Sequence, residues 1–402
     1  QTINRLYASI YFNKNDWEKS IIYYKKLLNV DYKKSEIYNN IGVALFNLGK
    51  INESIENFNK SCDENIHDEL AYENLGLSHK QLGNYELAIK NFVKVLELNK
   101  NNYKIKENLI DIFNYYKPKD VEIHKILKIN QKINNLNYNI FTKHPINPKD
   151  IKKFYESTIK IISNIDDNLI YSETQIFRRN KINLNCDRHF KVFNKFSVIP
   201  KYCFGCYKVQ INIKNVVELI KLFFVFNNIN LKNNNIRKCV IELRKNVKGN
   251  YKGYIFCSSI DEAKTIYNNI CKILDDFYIL TNKVEIKHGC TEYYETYPEF
   301  NDINLNGNQK MSYNPDWLEK EQYIDAKIPK RKLHDKKVFN ATLKDINLSD
   351  VLIIKNWLSY AKIIGDISYK NICEENINTI FLSKILNNQI IFRKKDFIEN
   401  QN

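Results

Sequence analysis

Glycine and proline are scarce in this 402-residue sequence, which contains 10 Gly and 7 Pro. Loops that cradle phosphates depend on glycine, and no P-loop, dinucleotide fingerprint, nucleophile elbow or metalloprotease helix motif is present. The sequence therefore offers none of the common enzyme signatures. Apolar runs of about 18 residues are also lacking, so we expect no transmembrane helix and no membrane partner.

The remaining composition is that of an ordinary globular protein, with 44% hydrophobic and 27% charged residues. This excludes wholesale disorder and collagen-like structure, and the length predicts two or three domains. The nine cysteines are an odd number in a long chain. Disulfide scaffolds are short and rich in cysteine, so we expect mostly reduced thiols and a cytoplasmic location. Because the chain starts at Gln1 and its repeat begins almost at once, we expect a fragment or processed form, which leaves a signal peptide open.

The positive charge is concentrated in one block. Residues 151–298 contain 24 Lys and Arg against 14 Asp and Glu, a net charge of +10 out of +16 for the chain. An anionic partner is therefore best sought in this block, although a solvated lysine-rich surface would have the same composition.

The N-terminal part repeats itself at a spacing of 34 residues, and such a period is typical of stacked helical repeats. Small residues recur where one helix must approach another, aromatic residues recur where space must be filled, and glycines recur in the turns between helices. Tyr38, Ile41, Gly42, Gly49, Ser54 and Phe58 return as Tyr72, Leu75, Gly76, Gly83, Ala88 and Phe92.

This pattern resembles the tetratricopeptide repeat family, whose members stack helix–turn–helix units. The resemblance implies an all-α solenoid with repeats at about 3–35, 36–69 and 70–103. A further first helix is predicted over 104–116, where Pro118 ends it, and a capping helix over 121–134. We assign residues 1–135 to this domain.

Arrays of this family usually offer a groove for a protein or peptide partner, and its lining comes from the first helix of each repeat. Side-chain amides at matching offsets both donate and accept hydrogen bonds, which suits a peptide backbone. A structural spacer or a self-association surface is the alternative. The predicted peptide-binding residues are Asn40, Ala44, Asn47, Asn74, Ser78, Gln81 and Asn108.

After a predicted hinge over residues 136–150, the hydrophobic period changes, and residues 151–298 form the basic block. A first helix is predicted over 151–165. The elements that follow predict the order β-α-β-β-α-β, which is the ferredoxin-like arrangement. The strands are predicted at 207–213, 238–244, 251–258 and 284–288, and the helices at 216–226 and 260–274.

The third of these strands resembles the RNA-recognition motif family, because it contains Lys252, Gly253, Tyr254 and Phe256. The resemblance implies that Tyr254 and Phe256 stack on bases and that Lys252 meets phosphate. The match is incomplete, since the first strand has Val209, Gln210 and Ile211, and no aromatic residue, where the family stacks a base. Ser259 also stands where the family has another aromatic residue. RNA is therefore a second candidate partner, and burial of these aromatic residues is the alternative.

Cys186-x2-His189 and Cys203-x2-Cys206 have the spacing of paired tetrahedral zinc ligands. We therefore predict a zinc site of Cys186, His189, Cys203 and Cys206, with a redox-active cysteine pair or plain buried cysteines as alternatives. If the fold is ferredoxin-like, the last strand ends beside the start of the first strand. This would bring His288 and Cys290 close to Cys203 and Cys206. A catalytic site in this region would draw on Cys206, His189, His288, Glu292 and Glu295.

The C-terminal part begins with a long loop or strap, which we assign to 299–345. Its tyrosine-rich sequence already starts at residue 292, and it could cover the sheet face that carries Tyr254. A basic run over 327–337 is predicted to be a solvated linker. Residues 346–402 are predicted to be a helical tail, with helices over 348–364 and 371–386. The sequence favours an interaction scaffold, with an RNA-binding protein and an enzyme of transferase type as alternatives.

Overall fold

The structure is a computed structural model in two units, residues 1–128 with 326–340 and residues 129–325 with 341–402. The predicted hinge is outside the described residues over 137–144, as is the predicted basic run from residue 328 onwards. The described ranges are 2–29, 33–136, 145–166, 169–245, 247–327, 340–374 and 377–401.

The first unit is a series of helix pairs. Asp68 and Asn102 cap the starts of α5 and α7 by accepting hydrogen bonds from backbone amides, and Gly83 ends α5 in the left-handed region at φ +78°. The helices are α1 Thr2–Asn13, α2 Trp17–Leu27, α3 Lys34–Asn47, α4 Ile51–Glu64, α5 Glu69–Leu82, α6 Tyr85–Leu98, α7 Tyr103–Ile112 and α8 Lys125–Asn134, which crosses into the second unit.

Glycines allow the two helices of a repeat to approach each other. A Cβ atom added to Gly42 would lie 2.5 Å from a ring carbon of Phe58, and one added to Gly76 would lie 2.4 Å from Phe92. Both rings are buried. The small residue allows the close approach of the two helices that the sequence predicts. The aromatic residue packs against the glycine of its own repeat, a contact that the sequence analysis did not predict.

Helix α7, the first helix after the third repeat, is shorter than predicted. Helix α7 ends at Ile112 instead of residue 116, and the amides of Phe113, Asn114 and Tyr115 bond to carbonyls three residues earlier. This tightened turn takes the chain out of the helix before Pro118, whose ring disfavours helical backbone in the residue preceding it.

A five-stranded antiparallel sheet forms the centre of the second unit, with strand order β1-β3-β4-β2-β5. From β2 to β5 the elements follow the predicted order β-α-β-β-α-β. Strand β1 is an additional edge strand that the sequence did not indicate. The strands are β1 Gln175–Arg178, β2 Tyr207–Ile213, β3 Arg237–Ile241, β4 Tyr251–Cys257 and β5 Thr281–His288.

The helices of the sheet are α12 Val216–Asn228 and α13 Ile260–Asp276, preceded by three others. Every residue of α12 from Val216 to Asn227 is buried, because the sheet lies on one side and other helices on the other. Phe224, for example, packs edge-on against Phe154, with ring centroids 5.9 Å apart. The preceding helices are α9 Pro148–Ser163, α10 Cys186–Phe196 and α11 Lys201–Phe204.

The C-terminal helices are part of this core. In α15, Trp357 Nε1 donates to the Thr174 carbonyl over 2.8 Å, and Asp350 pairs with Arg178 of β1. The helix predicted over 371–386 is present only in its second half, from Ile380 to Leu386. Asn371 ends a 3-10 turn, and the described residues 372–374 and 377–379 are not helical. The helices are α14 Leu318–Lys327, α15 Leu348–Ile364, α16 Ile380–Leu386 and α17 Ile390–Glu399.

The tyrosine-rich segment packs mainly beside α10 and α11. Tyr293 and Phe300 are buried in a cluster with Ile199 and Cys203. Among the described residues, no helix is long and apolar enough to cross a membrane.

Candidate functional site

The cysteines of the predicted zinc site lie in and around the short helices α10 and α11. Cys186 begins α10 and is exposed, Cys203 is buried with its Sγ 3.4 Å from Tyr293 Oη, and Cys206 is half-buried after α11. Burial raises the pKa of Cys203 and of Cys206 to about 12. The charge of Cys186 adds to this effect and raises the pKa of both thiols further.

His189 has a different environment. Its ring stacks on Tyr202 with centroids 5.2 Å apart. Burial first, and then the neighbouring Arg188, lower its pKa to about 4. The other charges acting on it are Glu321 and Asp325, not thiols. In the described part of the chain, no group of three or more His, Cys, Asp or Glu side chains is arranged to hold a metal ion.

The candidate catalytic groups do not form an obvious acid–base pair. The His288 ring is sandwiched between Tyr207 and Phe300, at centroid distances of 4.6 and 4.0 Å, and burial lowers its pKa to about 4. Its Nδ1 lies 3.3 Å from the carbonyl oxygen of Cys206, not from the thiol. Glu292 pairs with Arg244, and Glu295 is exposed.

Base stacking requires exposed aromatic rings, and the strand that suggested RNA binding is largely buried. Lys252 and Tyr254 are buried, and Phe256 is half-buried. Gly253 points to the other side of the sheet, where an added Cβ atom would lie 2.4 Å from Leu222 of α12. The glycine of this pattern therefore serves helix–sheet packing.

Tyr254 is surrounded by basic side chains. Lys208 Nζ lies 5.1 Å and Lys238 Nζ 5.4 Å from its ring centroid. Burial lowers the pKa of Lys208 to about 8 and also lowers that of Lys238. We call the residues Lys208, Lys238, Arg244, Lys252 and Tyr254 the lysine face. The strand register places Lys208, Lys238, Lys252 and Tyr254 on one side of the sheet, and Arg244 follows β3.

The predicted peptide-binding residues lie on the first helices α3, α5 and α7. Ala44 and Ser78 are fully buried, so they have no surface to offer a peptide. The residues that keep accessible surface, which we call the first-helix surface, are Asn40, Asn47, Asn74, Gln81 and Asn108.

Hydrogen bonds and ion pairs link successive first helices. Asn74 Nδ2 donates to Asn39 Oδ1 over 2.9 Å. Lys80 Nζ donates to Asn108 Oδ1 over 3.0 Å and lies 2.7 Å from an Asp111 carboxylate oxygen. These partners stand 28 to 35 residues apart, so each contact joins one repeat to the next.

Models of the tetratricopeptide repeat match residues 6–34, 35–65 and 70–102. These ranges include α3 and α5 of the first-helix surface and end just before α7. The N-terminal segment of the chain belongs to the tetratricopeptide repeat family. No curated protein matches the chain.

Several solved structures are similar to parts of the chain. The first TPR of Spaghetti (RPAP3), bound to the HSP90 peptide SRMEEVD, is 25% identical over 28% of this chain and 90% of that one, with a TM-score of 0.27. A MamA crystal structure is 21% identical over 40% and 80% of the two chains, with a TM-score of 0.28. Naa15/Naa10 bound to HypK-THB is 11% identical over 99% of this chain and 51% of that chain, with a TM-score of 0.29.

Two sets of residues in these sites were missed by sequence reasoning. In the tetratricopeptide array, Glu73 pairs with Lys104 and Asp111 pairs with Lys80. The sequence signal that could have revealed both ion pairs was the occurrence of opposite charges about one repeat apart. On the lysine face, Arg244 was missed as a site residue. The sequence placed it at the end of a strand predicted over 238–244, whereas β3 ends at Ile241.

Proposed function

We propose that this protein is an interaction scaffold whose tetratricopeptide array binds a segment of a partner protein on the first-helix surface. The observation that supports this is the alignment of amide side chains from three successive first helices, with Asn47 and Gln81 exposed. An amide both donates and accepts, so a row of amides suits the backbone of an extended peptide.

The charges near this surface favour a neutral segment. Lys80 is engaged by Asn108 and Asp111, and Lys104 by Glu73. Because these ammonium groups are already neutralised, a peptide that ends in several carboxylates gains little from them. We therefore expect weak binding of SRMEEVD, the peptide held by the Spaghetti repeat domain.

The test is selection of peptides from a displayed random library on the immobilised full chain. Enriched peptides are then measured by calorimetry against Asn47→Ala/Gln81→Ala. The matched control is Asn57→Ala/Asn91→Ala, because these asparagines lie on the second helices α4 and α6, one repeat apart. Asn57 donates to the carbonyl four residues earlier, as Asn47 does.

We expect the first-helix variant to lose roughly tenfold in affinity and the control to stay within about twofold. Equal losses in both variants, or an unaffected first-helix variant, would refute this surface. Enrichment of no peptide above the bare support would count against the scaffold itself.

For the second unit, we propose a ferredoxin-like class. Support comes from the strand order β3-β4-β2-β5 and from the helices α12 and α13, which each follow one strand of a β-α-β half. RNA binding, zinc, catalysis and a cytoplasmic location stay predictions. The burial of Lys252 and Tyr254 lends no support to base stacking.

A further inference from the structure

The lysine face contains buried positive charge with too few partners. Lys252 and Arg244 share the Glu242 carboxylate, at 2.9 and 2.8 Å. Glu292 contacts Arg244 at 3.3 Å. Among the described residues, no carboxylate oxygen lies within 4 Å of the ammonium nitrogen of Lys208 or Lys238.

The two remaining lysines instead bond to neutral oxygens. Lys208 Nζ donates to the Gly289 carbonyl over 3.0 Å, and Lys238 Nζ donates to Gln175 Oε1 over 3.0 Å. Lys208 is 6% exposed, so water supplies little of the missing stabilisation. A buried ammonium without a counter-ion is costly, and neighbouring rings compensate part of that cost.

The surroundings of Lys238 add a second feature. Its Nζ lies 5.2 Å from the ring centroid of Phe177 and 6.0 Å from that of Phe256, and both rings are half-buried. Two lysines and an arginine therefore converge beside aromatic rings that retain accessible surface. Cations of this kind recognise phosphate, and exposed aromatic rings offer a stacking surface.

We propose that the lysine face binds the phosphate group of a small molecule, which provides the negative counter-charge that Lys208 and Lys238 lack. Arg244 borders the site and is held by Glu242. The rings of Phe177 and Phe256 favour a ligand that carries an aromatic base next to its phosphate. Inorganic phosphate and a nucleoside monophosphate are therefore the two probes to compare.

The experiment measures thermal unfolding and calorimetric binding of the full chain with sodium phosphate, adenosine monophosphate, or sodium chloride at the same ionic strength. The test variant is Lys208→Met/Lys238→Met. The matched control is Lys283→Met/Lys287→Met, which removes the same charge from the neighbouring strand β5. Both control lysines pair with Glu285, at 2.9 Å each, and therefore have a counter-ion within the protein.

We expect phosphate or the nucleotide to raise the melting temperature of the wild type and of the control. The test variant should lose this response and at least tenfold in affinity. Without ligand it should melt at or above the wild-type temperature, because it no longer buries uncompensated charge. A stronger response to the nucleotide would assign a role to the aromatic rings, whereas equal responses would assign bare phosphate.

Three results would overturn the proposal. One is the absence of any response of the wild type to millimolar phosphate or nucleotide. Another is a test variant that melts below the control without ligand, since the lysines would then be structural. The third is binding of a short single-stranded RNA with no response to either small molecule. Lys238→Gln alone, at a half-buried position, keeps the test valid if the double variant does not fold.

Discussion

Lys252 and Glu242 form an ion pair that is buried on both sides: their charged atoms are 2.9 Å apart and their side chains are 4% and 3% exposed. Lys252 lies on β4, and Glu242 follows β3 at the start of the connecting turn. The pair therefore fixes the turn to the sheet. The C-terminal helix α17 holds the same turn from outside, because Arg393 donates to the Val247 carbonyl over 2.7 Å.

Glu242→Gln is expected to destabilise the second unit by about 3–5 kcal/mol. The substitution leaves the buried Lys252 ammonium without its carboxylate, and losing one partner of a buried pair costs more than the pair contributes. Urea unfolding of the full chain measures the change. Glu292→Gln is the control, because this carboxylate is exposed and pairs with the exposed Arg244, so its loss should cost at most about 1 kcal/mol. Similar losses in the two variants would contradict the argument.

The same carboxylate should make stability depend on acid. Burial raises the pKa of Glu242, but hydrogen bonds and charges of Arg244 and Lys252 outweigh it and lower the pKa from 4.5 to about 2. The stabilisation is therefore present above pH 4.5, where the unfolded chain is also ionised, and is lost as the pH falls towards 2. A shift of this size corresponds to about 3 kcal/mol. Free energies of unfolding measured from pH 6 down to the acid limit should fall less steeply in Glu242→Gln than in the wild type.

Asp350→Asn should also cost about 3–5 kcal/mol. Asp350 accepts two hydrogen bonds from Arg178, at 3.1 and 2.8 Å, and both side chains are buried. The amide keeps the shape but removes the charge, so the guanidinium is left uncompensated. The urea midpoint measures the loss. Glu399→Gln in the exposed pair with Lys395 serves as control and should stay within about 0.5 kcal/mol. A midpoint unchanged in Asp350→Asn would contradict this view of the core.

Gly76→Ala should destabilise the array although alanine favours helices. The gain in helix propensity is about 1 kcal/mol, whereas the new methyl group collides with the Phe92 ring, and overpacking of this kind costs about 1–3 kcal/mol. The melting temperature of the array measures the net change. Phe92→Leu combined with Gly76→Ala should be more stable than the sum of the two single changes predicts. If Gly76→Ala alone stabilised the array, α5 and α6 would be able to move apart at no cost, and the argument from close packing would be wrong.

The repeat array was predictable because its packing rule recurs along the chain. The contact between Gly76 and Phe92 has an equivalent in Gly42 and Phe58, one repeat earlier. A pair of residue types that recurs at one spacing constrains both the helices and their packing. The end of α7 was less predictable. The helix ends at Ile112, well before Pro118, and a proline restricts only the residue that precedes it.

In the second unit, local pattern identified β2 to β5 but not β1. Arg178 reads as a surface residue, and its burial depends on Asp350, which is distant in sequence. For the candidate sites, spacing suggested that Cys186 and His189 act together, whereas the stacking of His189 on Tyr202 could not be derived from spacing. The lysine face combines three separate segments, so no local pattern reveals it.

The neutralised lysines of the first-helix surface suggest a gain-of-function test. Lys80 is held by Asp111 and Lys104 by Glu73. Glu73→Gln/Asp111→Asn would remove both carboxylates and leave two ammonium groups available on α5 and α7. We expect this variant to bind the acidic peptide SRMEEVD roughly fivefold to tenfold more tightly than the wild type, as measured by fluorescence anisotropy at low salt.

The gain should be electrostatic and local. It should therefore fade as the salt concentration rises to about 1 M, where the screening length falls to about 3 Å. Glu56→Gln/Asp63→Asn is the matched control, because it changes the net charge equally but lies on the second helix α4. If the control gains as much affinity, the effect belongs to net charge and not to the first-helix surface. If neither variant gains, acidic peptides do not reach Lys80 and Lys104, and the peptide path must run elsewhere on the array.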